Sequence, residues 1–285
     1  MLAARPKTLP AGVVPVLVGG VLAYSHGGFS ILPFLAALFG SVMIQIGTNF
    51  ANDFFDFKKN TDTAERVGPM RVTQAGLVTQ RQITMAMIIA FGLAFLAGIY
   101  LVSIGGWPIV IIGLASILCG VLYTAGPYAL GYLGLGEIFV LVFYGPVALA
   151  GTYYVQTLNA PTEIIVAGLP FGMISTAILI VNNLRDVDTD KKTGKNTLAV
   201  RFGKTFARIE YAVMIAGAGV IAPILMSMGH GGKFMYVSIA YLIFAPPAVR
   251  AVFTSNDGEQ LNATLAATGK LLIIYGILFS LGWVL

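Results

Sequence analysis

Long apolar runs separated by short polar segments account for most of this chain. A spanning helix needs about 20 apolar residues, with about 17 to 25 tolerated. Runs that approach this length and are nearly free of charge cover residues 9–25, 31–50, 82–103, 107–124, 136–157, 163–183, 207–228, 234–253 and 266–285. The pattern therefore predicts an all-α polytopic membrane protein with nine transmembrane helices in a single domain that covers residues 1–285.

Composition and charge support a membrane protein and indicate its orientation. Charged residues make up 10% of the chain, less than half of the roughly 25% found in soluble domains. If the N-terminus is cytoplasmic, all of the 17 Lys and Arg residues except Lys233 fall on the cytoplasmic face, as the positive-inside rule requires. We therefore predict a multi-pass protein of the cell membrane, with the bilayer as its surroundings, no nucleic-acid partner and no required protein partner.

Two long polar loops interrupt the apolar pattern, and both are predicted to lie on the cytoplasmic face. Motif 1 occupies residues 49–62 and follows the second apolar run, whereas motif 2 occupies residues 182–190 and follows the sixth. An offset of 130 residues aligns Asn52 with Asn182, Asp56 with Asp186, and Asn60 with Asp190. We interpret this match as the trace of an ancient duplication.

The acidic and amide residues of the two motifs are spaced to share a helix face, because residues three or four apart are neighbours on a helix. Carboxylates grouped at a membrane boundary carry a free-energy cost unless something offsets it. Mg²⁺ is the natural candidate, since it takes oxygen ligands from one or two carboxylates together with substrate phosphates. A solvated face without chemistry is the alternative. The nearby cations that would neutralise a phosphate are Lys58, Lys59, Arg66, Arg71, Arg185, Lys191, Lys192 and Lys195.

The segments Asn52-Asp53-x-x-Asp56 and Asp186-x3-Asp190 closely resemble the two aspartate-rich motifs of the UbiA superfamily of intramembrane prenyltransferases. The resemblance covers nearly the whole chain and implies a nine-helix bundle around a central cavity. One departure is that Asn60 stands where the superfamily often has a third aspartate, with Asp62 two positions on. Three further stretches, 66–76, 123–137 and 145–156, look like the branch that prenylates 1,4-dihydroxy-2-naphthoate in menaquinone biosynthesis.

The resemblance implies an activity and a set of site residues. The expected reaction is the Mg²⁺-dependent transfer of a polyprenyl group from polyprenyl diphosphate to 1,4-dihydroxy-2-naphthoate, with decarboxylation, to give demethylmenaquinol. The implied catalytic residues and metal ligands are Asp53, Asp56, Asp186 and Asp190, with Asp62, Asn52 and Asn182 as further candidate ligands. The expected substrate-binding residues are Asn49, Asn52, Lys58, Arg66, Arg71, Gln74, Tyr123, Glu137, Tyr153, Asn182, Asn183, Arg185 and Lys195.

Other polar residues inside the apolar runs have two readings. Gln45, Thr48 and Asn49 fall near one helix face, where they either line a cavity or bond neighbouring helices. Glu137 is an intramembrane carboxylate that requires a partner, although it also stands where it would cap a helix N-terminus. Tyrosines such as Tyr123 either stabilise a carbocation through their ring faces or serve as packing.

Three alternative functions differ from the naphthoate reaction in recognisable ways. A prenyltransferase for another aromatic acceptor, of the 4-hydroxybenzoate or homogentisate type, would keep every aspartate and differ around residues 123–156. A CDP-alcohol phosphotransferase would carry its aspartates in one continuous run, a pattern that this sequence lacks. A membrane cation transporter would place its acidic residues near the bilayer midplane rather than at helix ends.

Overall fold

The computed structural model describes residues 2–59, 68 and 71–285, and within this part of the chain all regular structure is helical. The predicted all-α fold is therefore confirmed. Four short 3-10 segments and one π-turn supplement the α-helices. The α-helices are α1 (Leu9–Ser25), α2 (Ile31–Lys58), α3 (Gln80–Gly105), α4 (Trp107–Leu122), α5 (Gly136–Val142), α6 (Ala148–Thr157), α7 (Thr162–Lys192), α8 (Leu198–Ser227), α9 (Pro246–Thr254) and α10 (Gly258–Val284).

The described helices fit a multi-pass membrane protein with seven or eight candidate spans. Seven helical segments are long and apolar enough to cross a bilayer, counting α5 and α6 as one. An eighth forms if the 3-10 segment Met235–Phe244 and α9, which meet at an angle of 43°, act as one bent span. The short apolar helix α4 has only 16 residues. The count of nine therefore stays a prediction.

Local sequence signals explain where several helices begin. Thr79 and Gln82 form a reciprocal capping box at the start of α3, which satisfies backbone donors that the first turn leaves unpaired. The side chain of Asp257 accepts a hydrogen bond from Gln260 N and so caps α10. Between α3 and α4 the chain turns at Gly106, whose φ of 63° lies in a region that favours glycine.

Helix α7 lies at the centre of the bundle, where it packs against α8, α10 and the α5–α6 segment. A π-turn over Phe143–Val147 joins α5 to α6 and brings their backbone directly against α7. A Cβ atom added at Gly172 would lie 2.1 Å from Leu141 O, so only glycine fits this contact. Small residues of this kind let membrane helices approach closely.

A cavity of about 770 Å³ opens between α1, α2, α3, α4, α6 and α7. Most of its wall is apolar and comes from side chains such as Ile44, Phe95, Ile99 and Ile112. Its polar residues concentrate where α2 and α7 end, which is where the two predicted motifs lie. The fold therefore brings two segments that are far apart in sequence to one end of one cavity.

Candidate active site

Helix α2 continues through motif 1 as far as Lys58, so the predicted helical stripe forms. Asn49, Asn52 and Asp56 line the cavity, as their spacing on one helix face requires. Asp53 faces elsewhere: its two carboxylate oxygens accept hydrogen bonds from Val72 N and Thr73 N, both at 3.2 Å. Asp53 therefore holds the segment that follows motif 1, and its predicted role as a metal ligand stays a prediction.

Helix α7 continues through motif 2 in the same way. Asn182, Asp186 and Asp190 line the cavity, and Asn183 joins them from the adjacent position. Asp188 points away, with 77% of its side chain exposed, and forms a surface ion pair with Lys204 at 2.8 Å. The two motifs therefore present carboxylates and amides to a common space.

Asp56 is surrounded by donors from three different segments. Arg71 Nη2 donates to its Oδ2 at 2.6 Å, and Lys195 Nζ lies 3.2 Å from the same oxygen. The Tyr132 hydroxyl donates to Oδ1 at 2.7 Å. Lys195 belongs to the loop that follows motif 2, so this ion pair joins the two motifs directly.

Asp186 is held by its own neighbour in the chain. The Arg185 guanidinium donates to both carboxylate oxygens, at 2.8 and 2.6 Å, in the bidentate geometry that arginine favours. The same guanidinium also donates to Asn182 Oδ1 at 2.8 Å and to Asn262 Oδ1 on α10 at 2.6 Å. Arg185 is thus fixed on three sides and keeps Asp186 in one orientation.

Tyr132 was not among the predicted site residues, yet it connects much of this site. Its ring lies under two ammonium groups, with Lys59 Nζ 4.2 Å and Lys195 Nζ 4.9 Å from the ring centroid, which is within cation–π range. Its backbone carbonyl accepts a hydrogen bond from Asn196 N at 2.9 Å. The sequence offered only a weak signal, a tyrosine in an uncharged loop between two apolar runs.

Lys59 ties the end of α2 to the α4–α5 loop. Its Nζ donates to Thr124 O at 2.7 Å and to Gly126 O at 2.9 Å, and the Thr124 hydroxyl bonds the Asn52 side chain. Burial lowers the pKa of the Lys59 ammonium; Asp56 opposes this shift and Lys195 adds to it. Lys59 therefore supports the loop that carries Tyr132.

Glu137 has the partner that its position requires. Asn183 Nδ2 donates to Glu137 Oε1 at 2.8 Å, and Glu137 lies in the first turn of α5, so both predicted roles are compatible with its placement. Burial, reinforced by the nearby Glu137 carboxylate, keeps the pKa of the Tyr123 phenol above its usual range. Tyr123 lines the cavity and presents a neutral ring to it.

The remaining predicted substrate-binding residues are placed less favourably or lie outside the described chain. The Tyr153 hydroxyl is 2.7 Å from His26 Nδ1. His26 lies just before the start of α2, whereas motif 1 lies at the other end of this helix, about 40 Å away at 1.5 Å per residue. Tyr153 is therefore far from the motif carboxylates. Lys58 is exposed and Gln74 is half-buried at the surface. Arg66 and Asp62 lie outside the described residues, as does Asn60.

The donor set can be compared with what a metal ion needs. Among the described residues no group of three or more His, Cys, Asp or Glu side chains is close enough to hold an ion by itself. The cavity instead offers separated carboxylates and amide oxygens at one end. This arrangement fits Mg²⁺, which is commonly bound by one or two carboxylates together with substrate phosphates and water rather than by an all-protein cage.

Comparison with known proteins decides the family. Residues 12–283 match the model of the UbiA prenyltransferase family. The chain belongs to this family. It is therefore a prenyltransferase, as its motifs predicted, and a multi-pass membrane protein.

Relatives within the UbiA prenyltransferase family narrow the comparison. The chain is 34% identical to the 1,4-dihydroxy-2-naphthoate octaprenyltransferase of Haemophilus influenzae, over 98% of this chain and 93% of the relative. It is 36% identical to the enzyme of the same name from Mycobacterium tuberculosis, over 96% and 92% of the two chains. The predicted resemblance to the naphthoate branch is confirmed.

Solved structures support the family fold. The apo structure of a UbiA homolog from Aeropyrum pernix K1 superposes with a TM-score of 0.71 at 14% identity and covers 95% of both chains. A UbiA homolog from Archaeoglobus fulgidus bound to GPP and Mg²⁺ superposes with a TM-score of 0.59 at 17% identity, over 96% of this chain and 99% of that one. At these identities the likeness extends to the fold alone.

Proposed function

We propose that this UbiA-family protein transfers a polyprenyl group from a polyprenyl diphosphate to 1,4-dihydroxy-2-naphthoate and releases the ring carboxylate as CO₂. The observation that carries the proposal is the meeting of Asp56 and Asp186 at the polar end of one largely apolar cavity. A substrate with a charged head and a long apolar tail matches this division of the cavity. The naphthoate octaprenyltransferases among the relatives support the choice of acceptor.

Asp56, Asp186 and Asp190 are the residues that we propose hold Mg²⁺, with Asn52 and Asn182 as additional oxygen donors. Bound there with the diphosphate, the metal would stabilise the negative charge of the leaving group. A UbiA homolog of the same fold has been solved with GPP and Mg²⁺, which supports the choice of metal. Asp53 and Asp62 stay predicted ligands, although the contacts of Asp53 favour a role in holding the 71–73 segment.

The protein's own cations are positioned to bind the diphosphate. Arg71, Lys195 and Arg185 already surround the motif carboxylates, so they can share their charge with a phosphate without entering from solvent. Fixed donors of this kind stabilise charge that develops on a leaving oxygen. The allylic C–O bond breaks and its electron pair departs with the diphosphate.

The apolar wall of the cavity serves the second half of the reaction. Side chains such as Phe95, Ile99 and Ile112 surround the space below the motifs, where they exclude water from the allylic cation. The electron-rich ring carbon that bears the carboxylate attacks the cation. The bond between this ring carbon and the carboxylate then breaks, CO₂ leaves, and the electron pair of the broken bond restores the aromatic ring of the prenylated hydroquinol.

We propose that both motifs face the cytoplasm, as the distribution of basic residues predicts. The cavity that the two motifs share supports an arrangement in which α2 and α7 end on the same side of the membrane. A cytoplasmic site gives access to water-soluble dihydroxynaphthoate while the prenyl tail stays in the bilayer. Asp188→Cys and Lys233→Cys, each combined with Cys119→Ala, are labelled from each side of sealed vesicles to test this orientation.

The decisive experiment uses purified full-length protein in lipid nanodiscs with radiolabelled polyprenyl diphosphate. Dihydroxynaphthoate, 4-hydroxybenzoate and homogentisate are supplied separately, each with Mg²⁺ or with EDTA. We expect prenylation of dihydroxynaphthoate, with release of CO₂, and its loss in EDTA. If another acid is prenylated instead, that acid is the acceptor and the proposed acceptor is wrong. If none is prenylated, the proposed function is refuted.

A further inference from the structure

Among the described residues that line the cavity, two buried side-chain oxygen atoms lack a hydrogen-bond partner. Gln45 on α2 and Ser175 on α7 both line the cavity, and their side chains retain only 6% and 2% exposure. Within the described part of the chain, neither Gln45 Oε1 nor Ser175 Oγ has a hydrogen-bond partner. A buried polar atom without a partner costs folding free energy, so such atoms point to a bound ligand.

The two groups occupy corresponding places on their helices. Gln45 lies eleven residues before Asp56, and Ser175 lies eleven residues before Asp186. Eleven residues make almost exactly three helical turns, so each group faces the same way as its aspartate and lies about 16 Å farther along the helix. The polar layer formed by Gln45 and Ser175 therefore lies deeper in the cavity than the motif carboxylates.

Three serine and threonine hydroxyl groups on the cavity wall differ from Ser175, because each has a backbone partner. Ser116 Oγ donates to Ile112 O, Thr152 Oγ1 to Ala148 O, and both distances are 2.7 Å. Ser41 Oγ likewise donates to Gly12 O at 2.7 Å. Serine and threonine side chains in membrane helices commonly donate a hydrogen bond to a backbone carbonyl in this way.

The Gln45 amide has a defined orientation. Its Nε2 points to Thr8 O at 3.4 Å, and a carbonyl oxygen can only accept, so the amide oxygen Oε1 is left for a donor. The Ser175 hydroxyl can donate or accept. The polar layer is therefore suited to a ligand that carries hydroxyl groups rather than to one whose only polar atoms are acceptors.

We propose that Gln45 and Ser175 bind the ring hydroxyl groups of the aromatic acceptor. This inference rests on the proposed function, because it places the acceptor between the diphosphate site and the polar layer. The wall that separates the two layers includes Ile178 and Leu179, which offer an apolar surface to a fused ring. Hydroxyl recognition here discriminates dihydroxy acids from acids without hydroxyl groups, since an unpaired polar site rejects the analogue that lacks its partner.

Binding without turnover tests the inference. Full-length protein in nanodiscs, with Mg²⁺ and inorganic diphosphate in place of the prenyl substrate, is titrated with 1,4-dihydroxy-2-naphthoate and with 2-naphthoate, which lacks both hydroxyl groups. The variants are Gln45→Leu and Ser175→Ala, and Ser116→Ala serves as the control because its hydroxyl is already satisfied within α4. Thermal unfolding of each variant is measured in parallel.

We expect Gln45→Leu and Ser175→Ala each to raise the Kd for dihydroxynaphthoate about tenfold, the effect of one lost hydrogen bond. The Kd for 2-naphthoate should stay unchanged, and so should both Kd values of Ser116→Ala. The unfolding temperature of Ser175→Ala should equal or exceed that of the wild type, because this substitution removes an unpaired buried atom and no existing hydrogen bond. A purely structural role would lower it.

Three results would overturn the inference. Equal weakening of both naphthoates, or no weakening of either, would show that the polar layer does not recognise hydroxyl groups. If the wild type binds 2-naphthoate as tightly as the dihydroxy acid, the hydroxyl contacts are absent altogether. Failure of the wild type to bind or prenylate dihydroxynaphthoate would refute the proposed function as well, so the two failures are distinguishable.

Discussion

The ends of α2 and α7 carry the same Asn-x3-Asp spacing but lie in different surroundings. In the most apolar stretch of each helix, 72% of α7 is buried within the protein, against 22% of α2. The other helices therefore hold α7 on all sides, whereas α2 has protein on one side and the bilayer on the other. Two motifs of equal spacing thus lie on helices that are packed against the protein to very different extents.

Asp56 on α2 and Asp186 on α7 also differ in where their charged and hydrogen-bonding partners come from. Asp56 is bound by Arg71, Tyr132 and Lys195, which come from three separate segments. Asp186 is bound by the adjacent Arg185. The contact between Arg185 and Asp186 is therefore local to α7, whereas the three contacts of Asp56 form only when the surrounding loops have folded against α2.

The largest expected effect comes from the aspartates themselves. Asp56→Asn and Asp186→Asn should each lower kcat/KM about 1,000-fold, since each removes a charge that stabilises the transition state through the metal. Steady-state kinetics with varied Mg²⁺ measures the loss. Asp188→Asn is the matched control, because this exposed residue faces away from the cavity; a similar loss there would contradict the assignment.

The stability of motif 2 should depend on its local ion pair. Arg185→Gln breaks the buried ion pair with Asp186 and should lower the free energy of unfolding by about 3 kcal/mol. Lys204→Gln breaks the exposed pair with Asp188 and should cost less than about 1 kcal/mol. Unfolding in detergent compares the two, and equal costs would show that motif 2 is not organised in this way.

The dependence of motif 1 on its loops can be tested at Tyr132. Tyr132→Phe removes the hydrogen bond to Asp56 but keeps the ring beneath the two lysines, and should lower kcat/KM for the prenyl diphosphate about tenfold. Tyr132→Leu also removes the cation–π contacts and should lower it a few-fold further. If the phenylalanine variant matches the wild type, Tyr132 does not position Asp56.

The smallest effect concerns the pH dependence of stability through Lys59. Because burial lowers the pKa of Lys59 in the folded protein, the unfolded chain holds more protons between that lowered value and the ordinary pKa of 10.5. Stability should therefore gain a contribution as the pH rises through this window. The free energy of unfolding of Lys59→Met should lack that contribution. If the free energy of unfolding changes with pH in the same way for the variant and the wild type, the prediction is wrong.

The sequence predicted the helical fold well because membrane helices must be long and apolar, and the two motifs were recognisable by helical spacing. Helical spacing also accounts for Asp188, which points away from Asp186 and pairs with Lys204 at the surface. It did not separate Asp53 from Asp56, because the direction that Asp53 takes depends on the backbone of residues 72 and 73 folding back onto α2.

The other differences between the predicted site and the observed site have a common physical origin. Tyr132 and Asn262 contact the motifs across long sequence separations, and an uncharged loop or a single amide in a helix carries no pattern that reveals such a contact. Tyr153 was predicted from residue type, and its contact with His26 depends on how α1 and α6 pack. Tertiary packing decided these cases, and periodicity does not contain it.

The shortness of α4 has a consequence for the surrounding lipid. Its 16 residues span about 24 Å at 1.5 Å per residue, several ångströms less than the roughly 30 Å hydrocarbon layer. Either the bilayer becomes thinner beside α4, or the loop that follows it begins below the headgroups. In both cases membrane thickness and the depth of Tyr132 are linked, so the lipid composition becomes part of the environment in which the diphosphate binds.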